Sequence, residues 1–240
     1  MRAGIPYGDL CSGMAGAMGI LGAVVARSRT GIGQQVEVSM LDVQLSLWNY
    51  MATMHLITGL PASRLGNQHF THVPYNTYAA SDSHLFLAIV PEAHWLSLLQ
   101  VLDRMATNHE VATELSILHR DEFLTRNGRI AARAQINTSM GRIIATRKRE
   151  EWLEGFIDAG LPCAPVNDVE QAFTDPQAIA RNMVVDVEHP LGGTMKQPGN
   201  PIKMSEADPD QFTPPPLLGQ HTTEILTGLL GYSTDMVEEL

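Results

Sequence analysis

Apolar positions recur at helical spacing through much of this chain, and two of the strongest runs lie in its first quarter. The first, roughly residues 10 to 27, carries Met14, Met18, Leu21 and Val25 among glycines and alanines. So little side chain on one flank suits close approach by another backbone or a ligand. Turn chemistry follows at Thr30-Gly31-Ile32-Gly33. Gln35-Val36-Glu37-Val38-Ser39 alternates and predicts a short strand. Met40 to Thr58 places Leu41, Leu45, Trp48, Met51, Ala52 and Leu56 on helical spacings, and Gly59-Leu60-Pro61 stops that helix.

The pattern then changes. Residues 60–74 are polar and read as a linker. Tyr75–Ala79 and Leu85–Val90 read as a hairpin across Ser81-Asp82-Ser83. Pro91 opens a helix with Trp95, Leu98, Leu99 and Leu102, since proline's missing N–H costs nothing in a first turn. Helices are predicted near 109–118, 119–126, 129–146 and 149–159, with Cys163–Val166 extended. Beyond 166, short helices at 168–173 and 176–182 precede a strand at 184–188. A Gly192-Gly193 turn leads into 194–197. Pro198, Pro201, Pro209, Pro214, Pro215 and Pro216 predict an extended crossing, and a last helix is predicted at about 222–230. The domain plan is therefore 1–59, a linker at 60–74, a small α/β domain at 75–165, and a C-terminal segment at 166–240 that returns to the first domain.

Composition narrows the partners. The chain has 240 residues, 44% of them hydrophobic, and a formal charge of -10. A core can be built, but neither nucleic acid nor an anionic membrane attracts such a surface. Cys11 and Cys163 form no disulfide framework and no zinc pattern, so a reducing cytoplasm is the expected home. The uncharged run Leu10 to Ala26 invites a signal-peptide or membrane reading. Against it stand the diluting glycines, Asp9 in place of a basic leader, and a length short of the roughly 20 residues a span needs.

Local chemistry leaves alternatives open. His69 and His72 lack an obvious third ligand, so no metal site is expected. Gly-x-Ser-x-Gly is absent, and Gly31-Ile32-Gly33 follows a helix where a dinucleotide fingerprint follows a strand. Asp9 fits an N-cap of the first helix. That is the first reading of the residue alone; the second is a nucleophile whose charge the helix end stabilises, because thioesters are activated enough for attack by a carboxylate. Glu92 and His94, near a helix start, read as solvated surface by default.

Ordered sequence blocks sharpen this. Gly8-Asp9-Leu10-Cys11-Ser12-Gly13-Met14 with Gly19-Ile20-Leu21-Gly22-Ala23 resembles the catalytic segment of family III CoA-transferases (CaiB/BaiF). Arg29 to Asp42 does so too, as do Arg64-Leu65-Gly66-Asn67-Gln68-His69, Pro74 to Tyr78, Gly160 to Val166 and Pro216 to Thr222. The resemblance implies an α/β fold: part of a Rossmann-like large domain plus a small α/β domain. It implies Asp9 as the nucleophile, and a mixed anhydride followed by an aspartyl-CoA thioester. It implies acyl-CoA and carboxylic acid as substrates, coenzyme A as the carrier, no metal, and an interlocked homodimer. Gly66, Asn67, His69, Tyr75 and Glu92 are its candidate substrate-binding residues. The related α-methylacyl-CoA racemases share the fold and would use the Asp9 position and a Glu near Glu92 in proton exchange. Family members carry a long Rossmann-like region before the catalytic segment, whereas Met1 lies eight residues before Asp9. The expectation is therefore a fragment, a split subunit or a product with a misplaced start, and an alternative to the transferase is a non-catalytic fragment or subunit that needs a partner chain for CoA binding.

Overall fold

The structure is a computed structural model that describes residues 4–206 and 212–240. Pro209, within the proline-rich stretch, lies outside the described residues. The chain divides into two compact units, Met1–Gly66 and Asn67–Leu240, so the break falls within the polar stretch at 60–74.

The first unit is helical. Helix α1 spans Tyr7–Thr30, longer at both ends than its pattern predicts. It starts directly after Pro6, whose φ of -74° already suits a helix. It ends where Gly31, at φ 74°, takes the left-handed cap and returns its N–H to Arg27 O at 2.8 Å. At 24 residues, α1 is long and apolar enough to cross a membrane by length and composition, which corrects the expectation that the segment is too short. Buried helices of water-soluble domains pass the same test.

The single helix expected over 40–58 is two. Helix α2 covers Met40–Leu47 and α3 covers Asn49–Thr58. The break comes where Asn49 adopts φ 48°, a left-handed conformation that asparagine tolerates better than most residues. Gln35–Ser39 is not a strand here, because nothing pairs with it; both ladders among the described residues lie in the second unit. Ser39 instead caps α2, its hydroxyl accepting from Asp42 N–H at 3.4 Å.

The second unit holds the core. Strands β1 (Tyr75–Ala79), β2 (His84–Ala88) and β3 (Cys163–Pro165) form an antiparallel sheet in the order β1-β2-β3, with Tyr75 opposite Ala88 and Leu87 opposite Cys163. Leu85 and Leu87 alternate inward along β2, as a half-buried strand requires. Helix α4 (Glu92–Met105) buries Trp95, Leu98, Leu99, Val101 and Leu102 on one stripe. Around it pack α5 (Ala112–Leu118), α6 (Arg126–Ala131), α7 (Arg133–Ile144) and α8 (Arg149–Asp158), which contribute Leu118, Ile136, Met140, Trp152 and Phe156 to one continuous cluster.

Residues 119–126 do not form a helix of their own. A short 3-10 turn, Asp121–Leu124, stands there and plugs the core with Phe123. The helix expected over 129–146 is divided at Ala132, whose φ of -97° and ψ of 19° leave the helical region. Beyond the core, α9 (Val169–Thr174) starts from a capping box between Asp168 and Gln171. Helix α10 (Pro176–Ala180) is capped by Asp175. Strands β4 (Val184–His189) and β5 (Gly193–Pro198) pair across the Gly192-Gly193 turn. The last predicted helix narrows to a helical turn at Thr222–Glu224 and a π-helical turn at Ile225–Leu229. A further short helix follows at Thr234–Glu238.

Candidate functional site

Asp9 does not cap α1. The cap position is Pro6, which has no side chain able to accept, and Asp9 lies three residues further on, inside the first turn. The macrodipole argument survives this correction, because the unpaired amides of a first turn still favour negative charge there. Asp9 is exposed. Beside it, a hydrogen bond to Cys11 pushes the Tyr7 phenol up from its ordinary value. One turn on, Ser12 Oγ is out of solvent and has no partner among the described residues. Two glycines let the chain close in around this segment. A β-carbon on Gly8 would meet the Gln44 side chain of α2 at 3.2 Å, and one on Gly19 would meet Val36 at 2.8 Å. The small-residue flank of α1 thus receives neighbouring side chains, Gln44 and Val36, rather than a neighbouring backbone.

Gly66 closes the first unit at φ 63°, a conformation that side chains rarely adopt. The remaining candidates belong to the second unit. Asn67 donates to Thr77 Oγ1 on β1 at 3.0 Å. His69 sits in an aromatic cluster, 4.7 Å from Phe70, 4.7 Å from His72 and 5.0 Å from Tyr75 between ring centroids. Tyr75 in turn meets Phe86 edge-on at 5.1 Å. Burial and the Arg133 charge hold His69 below its ordinary value. Burial does the same to His72, helped by His69, Arg126 and Arg129 and opposed by Glu92. Both rings therefore favour the neutral form.

Glu92 is not a free surface carboxylate. Its Oε2 accepts from Arg129 Nη2 at 2.6 Å and its Oε1 from the Arg126 backbone N–H at 3.2 Å. Burial pushes its carboxyl up, but the Arg129 hydrogen bond and charge, with Arg126, more than offset this and hold it below the ordinary value. Arg129 itself is only 2% exposed and fully engaged. Nε donates to Val73 O at 3.0 Å, Nη1 donates to Phe123 O at 2.7 Å, and the guanidinium lies 5.2 Å from the Trp95 ring. So the structure groups His69, Tyr75 and His72 directly, and joins Glu92 to the same loop through Arg129. His94, the neighbour of Glu92, leaves Nδ1 buried without a partner among the described residues.

Sequence reasoning missed Arg129, Arg133 and Asn137. Their signal was a polar residue every four positions on a helix otherwise buried through Ile136 and Met140. Among the described residues no group of three or more His, Cys, Asp or Glu side chains is placed to hold a metal ion.

The chain belongs to CoA-transferase family III, whose family model matches residues 1–222. It is 33% identical over 228 residues to an acyl-CoA transferase of Fusarium pseudograminearum, covering 94% of this chain and 48% of that protein. It is 32% identical to the succinyl-CoA:mesaconate CoA-transferase of Haloarcula hispanica, covering 99% of this chain and 57% of that one. A solved CaiB/BaiF family protein from Brucella suis superimposes with a TM-score of 0.75 at 27% identity, over 95% of this chain and 57% of its own. The mixed α/β architecture is thus the family III fold. The chain spans about half the length of the relatives it matches.

Proposed function

We propose that this chain carries the nucleophile of a CoA-transferase that moves CoA between an acyl-CoA and a carboxylic acid. The observation that carries the reading is Asp9, exposed in the first turn of a long helix, in a chain that belongs to family III. An Asp9 carboxylate oxygen attacks the donor thioester carbonyl. The C–S bond breaks, CoA leaves as thiolate, and a mixed anhydride forms. The thiolate then attacks the aspartyl carbonyl, which frees the donor acid and leaves aspartyl-CoA thioester. The acceptor carboxylate attacks that thioester, expels the thiolate and forms a second anhydride; the thiolate takes the acceptor acyl group and restores Asp9. Over the full cycle one thioester is broken and one is formed, so no nucleotide is consumed. The first-turn amides of α1 favour the charged nucleophile, and Gly66, Asn67, His69 and Tyr75 are the residues proposed to meet the acyl groups.

The racemase alternative is less well supported. It needs a carboxyl near Glu92 that trades protons, whereas both Glu92 oxygens are tied to Arg126 and Arg129 and the group is held ionised.

A second polypeptide belongs to the same reading, whether a copy of this chain or one that supplies the CoA contacts. Its support is the apolar face of α1, where Met14, Met18, Leu21 and Val25 follow one another at helical spacing and all stand exposed. The test is intact-protein mass spectrometry of the chain with succinyl-CoA and either mesaconate or glutarate, quenched with hydroxylamine or borohydride. Modification mapped to Asp9 is expected, in the chain alone or once the second polypeptide is added. Transfer of CoA without any modification at Asp9 would sink the covalent reading.

A further inference from the structure

Residues 68–73 run antiparallel to a row of polar side chains spaced four apart on α6 and α7. Asn137 Nδ2 donates to Gln68 Oε1 at 3.1 Å. One turn earlier, Arg133 Nη1 donates to His69 O at 2.6 Å and Nη2 to Phe70 O at 2.7 Å. One turn earlier again, Arg129 Nε donates to Val73 O at 3.0 Å. Each helical turn therefore holds the next stretch of loop. The row is anchored in the core at both ends: Tyr78 donates to Asn137 Oδ1 at 2.5 Å, and Arg129 is buried against Trp95.

The middle rung differs from the others. Arg133 grips two consecutive carbonyls with one planar fork, which sets the peptide plane between His69 and Phe70. A guanidinium holds both with a rigid planar fork, whereas a lysine ammonium keeps the charge but is a point donor that fixes no plane. The consequence reaches the next residue, where the Thr71 N–H donates to His69 Nδ1 at 3.2 Å. That bond places the proton of the neutral ring on Nε2.

We propose that Arg133 is a positioning residue for the acyl-transfer site: by fixing the His69 and Phe70 carbonyls it sets the orientation in which His69 and Tyr75 are presented. The role in transfer rests on the CoA-transferase reading above; the loop geometry does not.

The experiment compares Arg133→Lys, Arg133→Gln and Asn137→Ala in the full chain, together with whatever second polypeptide the transfer assay requires. Amide exchange at Thr71 and the nitrogen shifts of the His69 ring report the loop. Exchange at Leu85–Ala88 reports the core. In both Arg133 variants, Thr71 exchange should quicken about tenfold, which corresponds to loss of local rather than global order, and His69 should lose its single tautomer. Turnover with succinyl-CoA should fall about tenfold in kcat with little change in KM, and lysine should not rescue it. Unchanged Thr71 exchange and an unchanged His69 signature would overturn the proposal. So would full rescue by lysine, or equal loosening of Leu85–Ala88, which would make Arg133 a general stabiliser. If the Arg133 variants fail to fold, Asn137→Ala decides: it should loosen Gln68 while leaving Thr71 bound. Should the unsubstituted protein transfer no CoA at all, the function fails while the two spectroscopic readouts still decide the loop.

Discussion

Helices α1 and α4 are both rich in apolar residues, yet they are used in opposite ways. Helix α4 buries Trp95, Leu98, Leu99, Val101 and Leu102 in the core cluster, packed on α5 and α8. Helix α1 is the longer and more apolar of the two, and buries none of its residues; nor is any described residue of the first unit buried. The contrast separates two jobs that share one chain. The second unit supplies its own stability, since a residue's contribution scales with the apolar area it removes from water. The first unit carries Asp9, the carboxylate proposed above as nucleophile, on a helix whose apolar residues stand exposed. Reactive groups are commonly found where the fold stabilises itself least.

The sharpest way to break that division is to remove the chemistry and look for a structural cost. Asp9→Asn should lower CoA transfer by at least about 10³-fold, as deletion of a covalent nucleophile does. The urea unfolding midpoint of the chain should shift only slightly, by no more than the roughly 0.3–1 kcal/mol that a first-turn charge contributes, because the exposed Asp9 side chain caps nothing. A variant that unfolds early would mean Asp9 is structural after all.

Next comes the converse, a deep cut in the second unit. Trp152 is fully buried, stacks on Phe156 at 5.7 Å between ring centroids, and donates its indole N–H to Ile144 O at 2.8 Å. Trp152→Ala should cost about 3–5 kcal/mol, from lost transfer energy plus the cavity. Chemical denaturation followed by near-ultraviolet circular dichroism reads it directly. A cost below 1 kcal/mol would deny the second unit its role as the stable body.

How far the sequence discloses this division depends on periodicity. Trp95, Leu98, Leu99 and Leu102 announce α4, and the hairpin of β1 and β2 follows from alternation around Ser81-Asp82-Ser83. Alternation also announced a strand at Gln35–Ser39, where none forms. Pattern reports what a segment is suited to pair with, not whether the partner is within the chain. Asn49 was misread for a different reason, since a single left-handed residue leaves the hydrophobic rhythm of 40–58 almost intact. The ordered blocks gave Asp9, Gly66, Asn67, His69 and Tyr75 as candidates, the first two in one unit and the others in the second. The four-residue spacing of the arginines was visible but their role was not, because their partners here are backbone carbonyls, which have no residue-type signature.

A smaller effect tests how the loop is joined to the core. Glu92→Gln removes the charge opposite the buried Arg129. Breaking a fully buried pair costs several kcal/mol, but Glu92 remains 52% exposed, so about 1–2 kcal/mol is expected. The pH dependence follows in sign. Glu92 is lowered in the fold, so its stabilisation is present above its ordinary value of 4.5 and is lost as pH falls below it. His69 and His72 are also lowered, from 6.5, and they too favour the folded state most when neutral. Stability should therefore decline in two stages on acidification, first below 6.5 and then below 4.5. Glu92→Gln should shrink only the second without abolishing it, since Glu114 and Asp82 are held low as well. A pH profile unchanged by the substitution would remove the ion pair from the account.

The smallest effect bears most directly on the exposed helix. Met18 is 68% exposed and Leu21 65% exposed. Leu21→Ser in the chain alone should leave the unfolding midpoint where it is, because the side chain has little burial to lose. The same substitution should reduce binding of a hydrophobic dye and weaken association of the chain, with itself or with the polypeptide that restores transfer, measured by sedimentation velocity. A face that is apolar for the sake of a partner shows its energy only when the partner is present. If Leu21→Ser instead destabilises the isolated chain as much as Trp152→Ala does, the face is already covered within the chain. The two helices would then be doing the same work, and the separation of chemistry from stability would fail at its first element.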